Sequence, residues 1–331
     1  MSIIWIIGCF ALSAGVCWMV KRACILDHPN HRSSHSTPTP RGGGLGVLAA
    51  IGLGLILALQ AGLEVRAIAV TVLGFGLLGL ADDLLSLGTK LKFSVMTALG
   101  TLVVWMAGPV ASMGVSESFS IALPLWLGFT GSVLWVFVAA NAVNFMDGSD
   151  GLIVAIFVPV GLALGLTGEG AAGITGYALA AGLVGFAIFN VPRAWLFLGD
   201  SGSLAIGAVF AVAGLQLIET PGDVWLYPLL ILPVLSDVLL TLAGKVRNGI
   251  GFLNPHRTHA YQLLARMGWP HWRVALAYFI ASSLCAVMAM LGATLGGVAP
   301  FAMFLAAVVA ASFLHAWIRR KAIRFGLDLK T

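Results

Sequence analysis

The chain has 331 residues, of which 60% are apolar and 9% charged, and its mean hydropathy is +1.00. Apolar runs of about 20 residues recur along it, which excludes a water-soluble domain and predicts an all-α polytopic membrane protein. The formal charge of +5 is no sign of nucleic-acid binding, because the basic residues fall where loops between membrane spans would carry them.

Eleven candidate spans lie near 3–20, 43–60, 66–81, 92–108, 121–140, 151–167, 171–190, 203–218, 224–243, 273–292 and 299–318. The first has no basic residue before its apolar stretch and Lys21-Arg22 after it, which predicts an uncleaved anchor with its N-terminus outside. Alternation from that start puts every one of the 18 lysines and arginines except Arg66 on the cytoplasmic side, with Thr331. One integral domain over 1–331 is expected. Its inner loops, 21–42, 82–92, 141–151, 190–203 and 244–272, hold the polar clusters on one face. The 41 glycines suit close helix packing in lipid. Cys9, Cys17, Cys24 and Cys285 have no CxxC spacing and no histidine pair nearby, so they read as buried small side chains.

The first inner loop runs Asp27-His-Pro-Asn-His-Arg-Ser-Ser-His-Ser-Thr-Pro-Thr-Pro-Arg-Gly-Gly-Gly. Its prolines forbid a regular helix. Arg32, His35 and Arg41 offer anion contacts, and Gly42 to Gly44 would let backbone amides approach a phosphate, although no P-loop pattern is present. A solvated basic loop explains the same residues equally well. Next, Asp82-Asp83 ends the third span and Lys90 and Lys92 begin the fourth. Adjacent carboxylates at a helix C-terminus repel each other and the dipole, so a divalent cation, the lysines or both are needed there. A plain interfacial ion pair is the simpler alternative.

Asn141, Asn144, Asp147 and Asp150 recur every third position within Asn141-Ala-Val-Asn-Phe-Met-Asp-Gly-Ser-Asp-Gly151. Each step of three turns a helical side chain back by roughly 60°, so the four cannot share one face. The helix is expected to run to about Asn144 or Asp147 and to break at Gly148 and Gly151. Carboxylates at that end again call for a cation, unless this is only an Asp-Gly turn between spans. Leu198-Gly-Asp-Ser-Gly-Ser203 opens the eighth span, where Asp200 or Ser201 suits an N-cap and the helix N-terminus would favour a phosphate. Asp237 lies inside the ninth span, as either a functional acid or a helix-to-helix hydrogen bond. The longest inner loop holds Asn254-Pro-His-Arg-Thr-His-Ala-Tyr-Gln262, whose His256 and His259 have no third nitrogen or sulfur ligand beside them. A phosphate or sugar contact fits this loop better than a metal site.

The ordered motifs NAVNFMDGSDGL, ADDLLSLGTKLK, FLGDSGSLAIG, DHPNHR…H…P…PRGGG and the basic histidine loop resemble the polyprenyl-phosphate N-acetylhexosamine-1-phosphate transferases, glycosyltransferase family 4. Within that family the chain is similar to the O-antigen-initiating branch. The resemblance implies an enzyme of the bacterial inner membrane with its active site facing the cytoplasm. It would move an N-acetylamino-sugar 1-phosphate from a UDP-sugar to undecaprenyl phosphate, releasing UMP. It implies Mg²⁺, or Mn²⁺ in its place, held by Asn144 and Asp200. Asp147 and Asp150 match positions around the uridine, and Lys92 and Arg257 match phosphate contacts. Asp82 and Asp83 match an essential pair, and His259 matches the first histidine of a His-x-His-His run. The other two positions of that run read Tyr261 and Gln262 here, which points to a small neutral donor sugar. Asn141, Lys90 and Arg41 complete the expected substrate contacts. The partners implied are the UDP-N-acetylamino sugar, undecaprenyl phosphate and the bilayer, with a homodimer as one state open to the chain.

At neutral pH a phosphate monoester, with a second pKa of about 6, is mostly dianionic, so a base to activate it gains less than neutralising the charge that meets in the transition state. Direct in-line attack is therefore expected, with an aspartyl-phosphate on Asp83 as the alternative. A secondary transporter is the competing class, but transporters place acids near the bilayer midplane in broken helices, whereas here they collect at inner helix ends.

Overall fold

The computed structural model describes residues 3–23, 26–27, 38–247, 249 and 257–329. Arg32, His35, Cys24 and His256 lie outside the described residues. In chain order the helices are α1 Ile4–Ala23, α2 Gly44–Gln60, α3 Arg66–Leu85, α4 Thr89–Ala107, α5 Leu125–Met146, α6 Leu152–Thr167 and α7 Gly170–Asn190. They continue with α8 Asp200–Leu215, α9 Leu226–Leu230, α10 Leu232–Arg247, α11 Ala260–Arg266, α12 His271–Leu295 and α13 Ala299–Arg324. Two small antiparallel ribbons join them: β1 Leu26–Asp27 with β2 Thr39–Pro40, and β3 Ser112–Gly114 with β4 Ser120–Ala122.

Among the described residues seven helices (α1, α3, α4, α5, α7, α12 and α13) are long and apolar enough to cross a membrane, and an eighth span arises if α9 and α10 are counted as one. The remaining apolar helices, α2, α6 and α8, have 17, 16 and 16 residues. At 1.5 Å per residue these reach about 24 to 26 Å, short of a hydrocarbon layer of about 30 Å. Each of the eleven expected segments contains a helix, the fifth only from Leu125 onward, but length alone supports seven or eight crossings.

The ninth segment is not straight. α9 and α10 meet at 78°, next to Pro233, whose ring opposes the carbonyl four residues back and which has no N–H to continue the ladder.

The core centres on α8, which is buried at every position from Ser201 to Leu215. It packs against α2, α3, α5 and α7. Its first turn is drawn in so closely that a side chain at Gly44 would overlap Gly202, and one at Gly79 would overlap the Asp200 carbonyl. Glycine is required at both by backbone approach. Cys9, Cys17 and Cys285 are buried free thiols. Cys9 and Cys17 donate to the carbonyls of Ala50 and Gly43, as small core side chains do.

Several helices run beyond their apolar stretch. α3 continues to Leu85 and α5 to Met146, so Asp82, Asp83, Asn141 and Asn144 all sit on helix. α8 starts at Asp200, three residues ahead of the apolar run.

Candidate active site

The polar residues of α3, α4, α5 and α8 converge on Lys92. Its Nζ donates to Asp82 Oδ2 at 2.7 Å and to Asp200 Oδ2 at 2.5 Å. Asp82 Oδ1 accepts from the Leu87 N–H at 2.7 Å, which folds the turn after α3 back over its own end. That turn needs the positive φ of Ser86, +51°. The other Asp200 oxygen, Oδ1, accepts from Asn144 Nδ2 at 2.9 Å, and the same amide donates to Ser203 Oγ at 2.9 Å. One lysine and one carboxamide thus tie together the ends of four helices.

Asp83 is 4% exposed and makes a different connection. Its Oδ1 and Oδ2 accept from the backbone N–H groups of Asp200 and Ser201, each at 3.1 Å. A carboxylate that is unfavourable at the C-terminus of its own helix is here received by the N-terminus of another. Asp200 and Ser201 are therefore not N-caps. Gly199, at φ +78°, precedes the helix, and α8 is capped from α3. Nor is the α8 N-terminus open to a phosphate, since Asp83 already fills its first two amides. Arg41 closes the far side of Asp83, with Nη2 donating to its backbone carbonyl and Nη1 3.7 Å from its carboxylate.

The amides of Gly42, Gly43 and Gly44 are also engaged. They donate to Phe197 O at 3.1 and 2.9 Å and to Leu198 O at 2.8 Å. They clamp the loop ahead of α8 and leave no cradle for phosphate.

Asp147 follows α5 as its C-cap, and Gly151 takes the expected left-handed conformation, φ +74°, before α6. Among the described residues Asp147 alone of these acids has no hydrogen-bond or ion-pair partner. Burial, with Asp200 and Asp83 nearby, pushes its carboxyl well above the usual carboxylate range.

Asp150 points elsewhere. Its Oδ2 accepts from the Ala194 N–H at 3.1 Å and lies 3.3 Å from His271 Nδ1. Burial works against its charge, but the His271 imidazole, the Ala194 amide and Arg193 hold its carboxyl below the usual range. Asn190 ties this loop to the next, accepting from Gly151 N at 2.7 Å and donating to Leu196 O at 3.0 Å. Sequence reasoning missed Asn190, Ser203 and the pairing of His271. The available signal was a polar residue at each helix end in an otherwise apolar chain.

Asn141 is buried and donates to Phe137 O at 2.9 Å, one turn back along its own helix. Lys90 is exposed at the start of α4, and Arg257 is half-buried ahead of α11. His259 is the N-cap of α11 and stacks on Phe145, with centroids 6.3 Å apart, and on Tyr261, at 6.1 Å.

Tyr261 is 2% exposed and its hydroxyl donates to Phe145 O at 3.2 Å. Gln262 Oε1 accepts from the His259 N–H at 3.2 Å. The two side chains expected to stand in place of histidines therefore build the α11 turn, and the Tyr261 face expected to stack on a donor sugar is covered by His259.

Comparison with known proteins agrees with the motifs. Residues 65–218 match the sequence profile described as Glycosyl transferase family 4, a stretch that contains Asp82, Asp83, Lys92, Asn144, Asp147, Asp150 and Asp200. The chain is 28% identical over 292 residues to a protein of Bacillus subtilis (strain 168) named probable undecaprenyl-phosphate N-acetylglucosaminyl 1-phosphate transferase, covering 82% of this chain and 79% of that one. It is also 28% identical over 265 residues to a phospho-N-acetylmuramoyl-pentapeptide-transferase of Staphylococcus aureus (strain JH9), covering 73% of this chain and 81% of the relative. Carboxylates, a bridging lysine and a carboxamide gathered at helix ends thus lie in the stretch that matches the glycosyl transferase family 4 profile, and over most of its length the chain is similar to membrane glycosyl-1-phosphate transferases.

Proposed function

We propose that the protein transfers an N-acetylamino-sugar 1-phosphate from a UDP-sugar to undecaprenyl phosphate at the cytoplasmic face of a bacterial inner membrane. An oxygen of the lipid phosphate forms a bond to the sugar-bearing phosphorus of the donor. The bond from that phosphorus to the bridging oxygen breaks, and UMP leaves with the electron pair. The product is the lipid-diphosphate sugar that would begin O-antigen synthesis or a related envelope glycan.

The observation that carries this reading is Lys92 held between Asp82 and Asp200. Two polyanions must meet here, and a cation fixed by two carboxylates needs no reorganisation to stabilise the charge that develops. Arg41 stands on the other side of the acid pair. Direct attack is favoured over an aspartyl-phosphate. Both Asp83 oxygens are committed to α8 amides, and a bond from either to phosphorus would leave a buried N–H unpaired.

The donor set also fits a magnesium ion. With Asn144 Nδ2 committed to Asp200 and Ser203, its amide oxygen has no partner among the described residues, and Asp200 supplies a carboxylate beside it. No group of three metal-ligating acids, histidines or cysteines is arranged among the described residues, which suits an ion that binds through one or two side chains, waters and substrate phosphates. When bound, Mg²⁺, or Mn²⁺ in its place, would supply Lewis-acid neutralisation of the diphosphate. Asp147, without a partner among the described residues, is assigned to the donor nucleotide, where its carboxyl can meet the uracil N–H in either protonation state.

The test is direct. Purified protein is incubated with undecaprenyl phosphate, Mg²⁺ and a panel of UDP-N-acetylamino sugars, and the lipid fraction is weighed by mass spectrometry. One lipid-diphosphate sugar with stoichiometric UMP is expected. Absence of that product across the panel overturns the reading.

A further inference from the structure

Asp237 is 2% exposed inside α10, and nothing in the reaction above uses it. A carboxylate in an apolar bundle is costly unless its oxygens are filled. Here three elements fill them. Oδ1 accepts from the Ala260 N–H at 2.6 Å and lies 3.5 Å from His259 Nδ1. Oδ2 accepts from the Tyr261 N–H at 3.2 Å and from the Tyr278 hydroxyl, on α12, at 2.6 Å. Thr241, a turn further along α10, lies 3.4 Å from Oδ1 and 3.2 Å from His315 Nε2 on α13.

The consequence reaches the acid cluster through α11. Asp237 fixes the first two amides of that helix, and its Oδ1 stands within ion-pair distance of the imidazole that precedes them. His259 and Tyr261 then pack on the last turn of α5, through the Phe145 ring and the Phe145 carbonyl. Gly148 is so close to the Tyr261 hydroxyl that no side chain fits there. Asn144 and Asp147 flank Phe145 and Gly148 in the chain, so whatever sets α11 also sets them.

We propose that Asp237 is a positioning residue for the transfer reaction, holding His259 and the C-terminal turn of α5 in register with the Asp82–Lys92–Asp200 cluster. It rests on the transferase reading. A carboxylate that only joined helices together would affect stability, whereas one that acts through His259 couples to it energetically.

The experiment compares wild type, Asp237→Asn, His259→Ala and the double variant. Asparagine keeps the size and one acceptor of Asp237 and removes its charge. It is expected to lower kcat by about tenfold or more while KM for each substrate stays within about threefold. In the His259→Ala background the same change should cost less than about threefold, because the route through His259 is already lost. Tyr278→Phe, which removes one donor to Oδ2 and keeps the charge, should lower kcat in the same direction by less, and serves the comparison if Asp237→Asn does not fold. Amide hydrogen exchange at Ala260 and Tyr261, read by mass spectrometry without turnover, should speed up in Asp237→Asn.

Losses that simply add in the double variant, or a lower unfolding midpoint with kcat intact, overturn the proposal. A wild-type protein that makes no lipid-diphosphate sugar overturns the transferase reading and this inference with it, whereas an active wild type with additive losses overturns this inference alone.

Discussion

Asp83, near the end of α3, caps the helix that begins at Asp200, taking the N–H groups of Asp200 and Ser201 at 3.1 Å each. Removing that carboxylate leaves two buried donors unpaired, at a cost of about 1 to 3 kcal/mol for each group left unsatisfied. Asp83→Ala should therefore lower the thermal unfolding midpoint in detergent clearly more than Asp83→Asn, which retains one acceptor. In the unmodified protein, donor labelled in its sugar-bearing phosphate and supplied without lipid acceptor should leave no label on the polypeptide, since neither Asp83 oxygen is free to take it.

Lys92 offers a sharper test of charge. Lys92→Met leaves Asp82 and Asp200 without their shared cation, and breaking a partly buried pair from one side costs about 3 kcal/mol. Turnover should fall by about 10²-fold or more, the scale of losing one fixed electrostatic group. Lys92→Arg should be the better folded of the two, as shown by midpoint, yet remain slow, because the larger planar guanidinium places its charge differently from the single ammonium that meets both acids.

Gly148 and Tyr261 should be coupled. A methyl group at Gly148 meets the Tyr261 hydroxyl first, with the ring carbon behind it at 3.2 Å. Gly148→Ala should cost stability and activity, and Tyr261→Phe in the same chain should restore part of both. A double-variant cycle of unfolding midpoints reads this as a favourable interaction term, and purely additive effects would mean the two do not touch.

Asp150 carries a pH dependence with a definite sign. Its carboxyl lies below the usual range in the folded protein, despite burial, because of His271, the Ala194 amide and Arg193. The stability it contributes is thus fully present above the unfolded value of about 3.9 and is lost as pH falls through the lower folded value. Unfolding midpoints measured from pH 6 downward should fall less steeply in Asp150→Asn than in wild type below about pH 4.

Helix positions were legible because apolar runs in lipid must be helical, and the acids were legible because charge is rare in this chain. The end of α5 ahead of Gly148 was legible too, and the ends of other helices were less so. α3 runs on through Asp82 and Asp83 because its backbone ladder continues wherever the side chains find partners, and those partners, Lys92 and α8, are set by the fold. The same holds for Gly42 to Gly44, whose amides meet Phe197 and Leu198 far along the chain. Tyr261 looked like a sugar platform because local sequence says nothing about burial, which here comes from α5 and His259. Asp237 offered two readings, and the α11 amides that it holds, far along the chain, could not be foreseen from its own helix.

The shortness of α8 has its own meaning for where the two substrates meet. A helix of 16 residues falls about 6 Å short of the hydrocarbon thickness, and its first turn holds the acid cluster. On the proposed reading, if α8 starts from the far side of the layer, the acid cluster would sit below the head groups, at about the depth of lipid carbonyls. A phosphate on a very long prenyl chain would then reach it by sideways diffusion alone, without lifting its tail. A nucleotide sugar would instead have to descend to the lipid, which would favour a donor that sheds its water of hydration on the way.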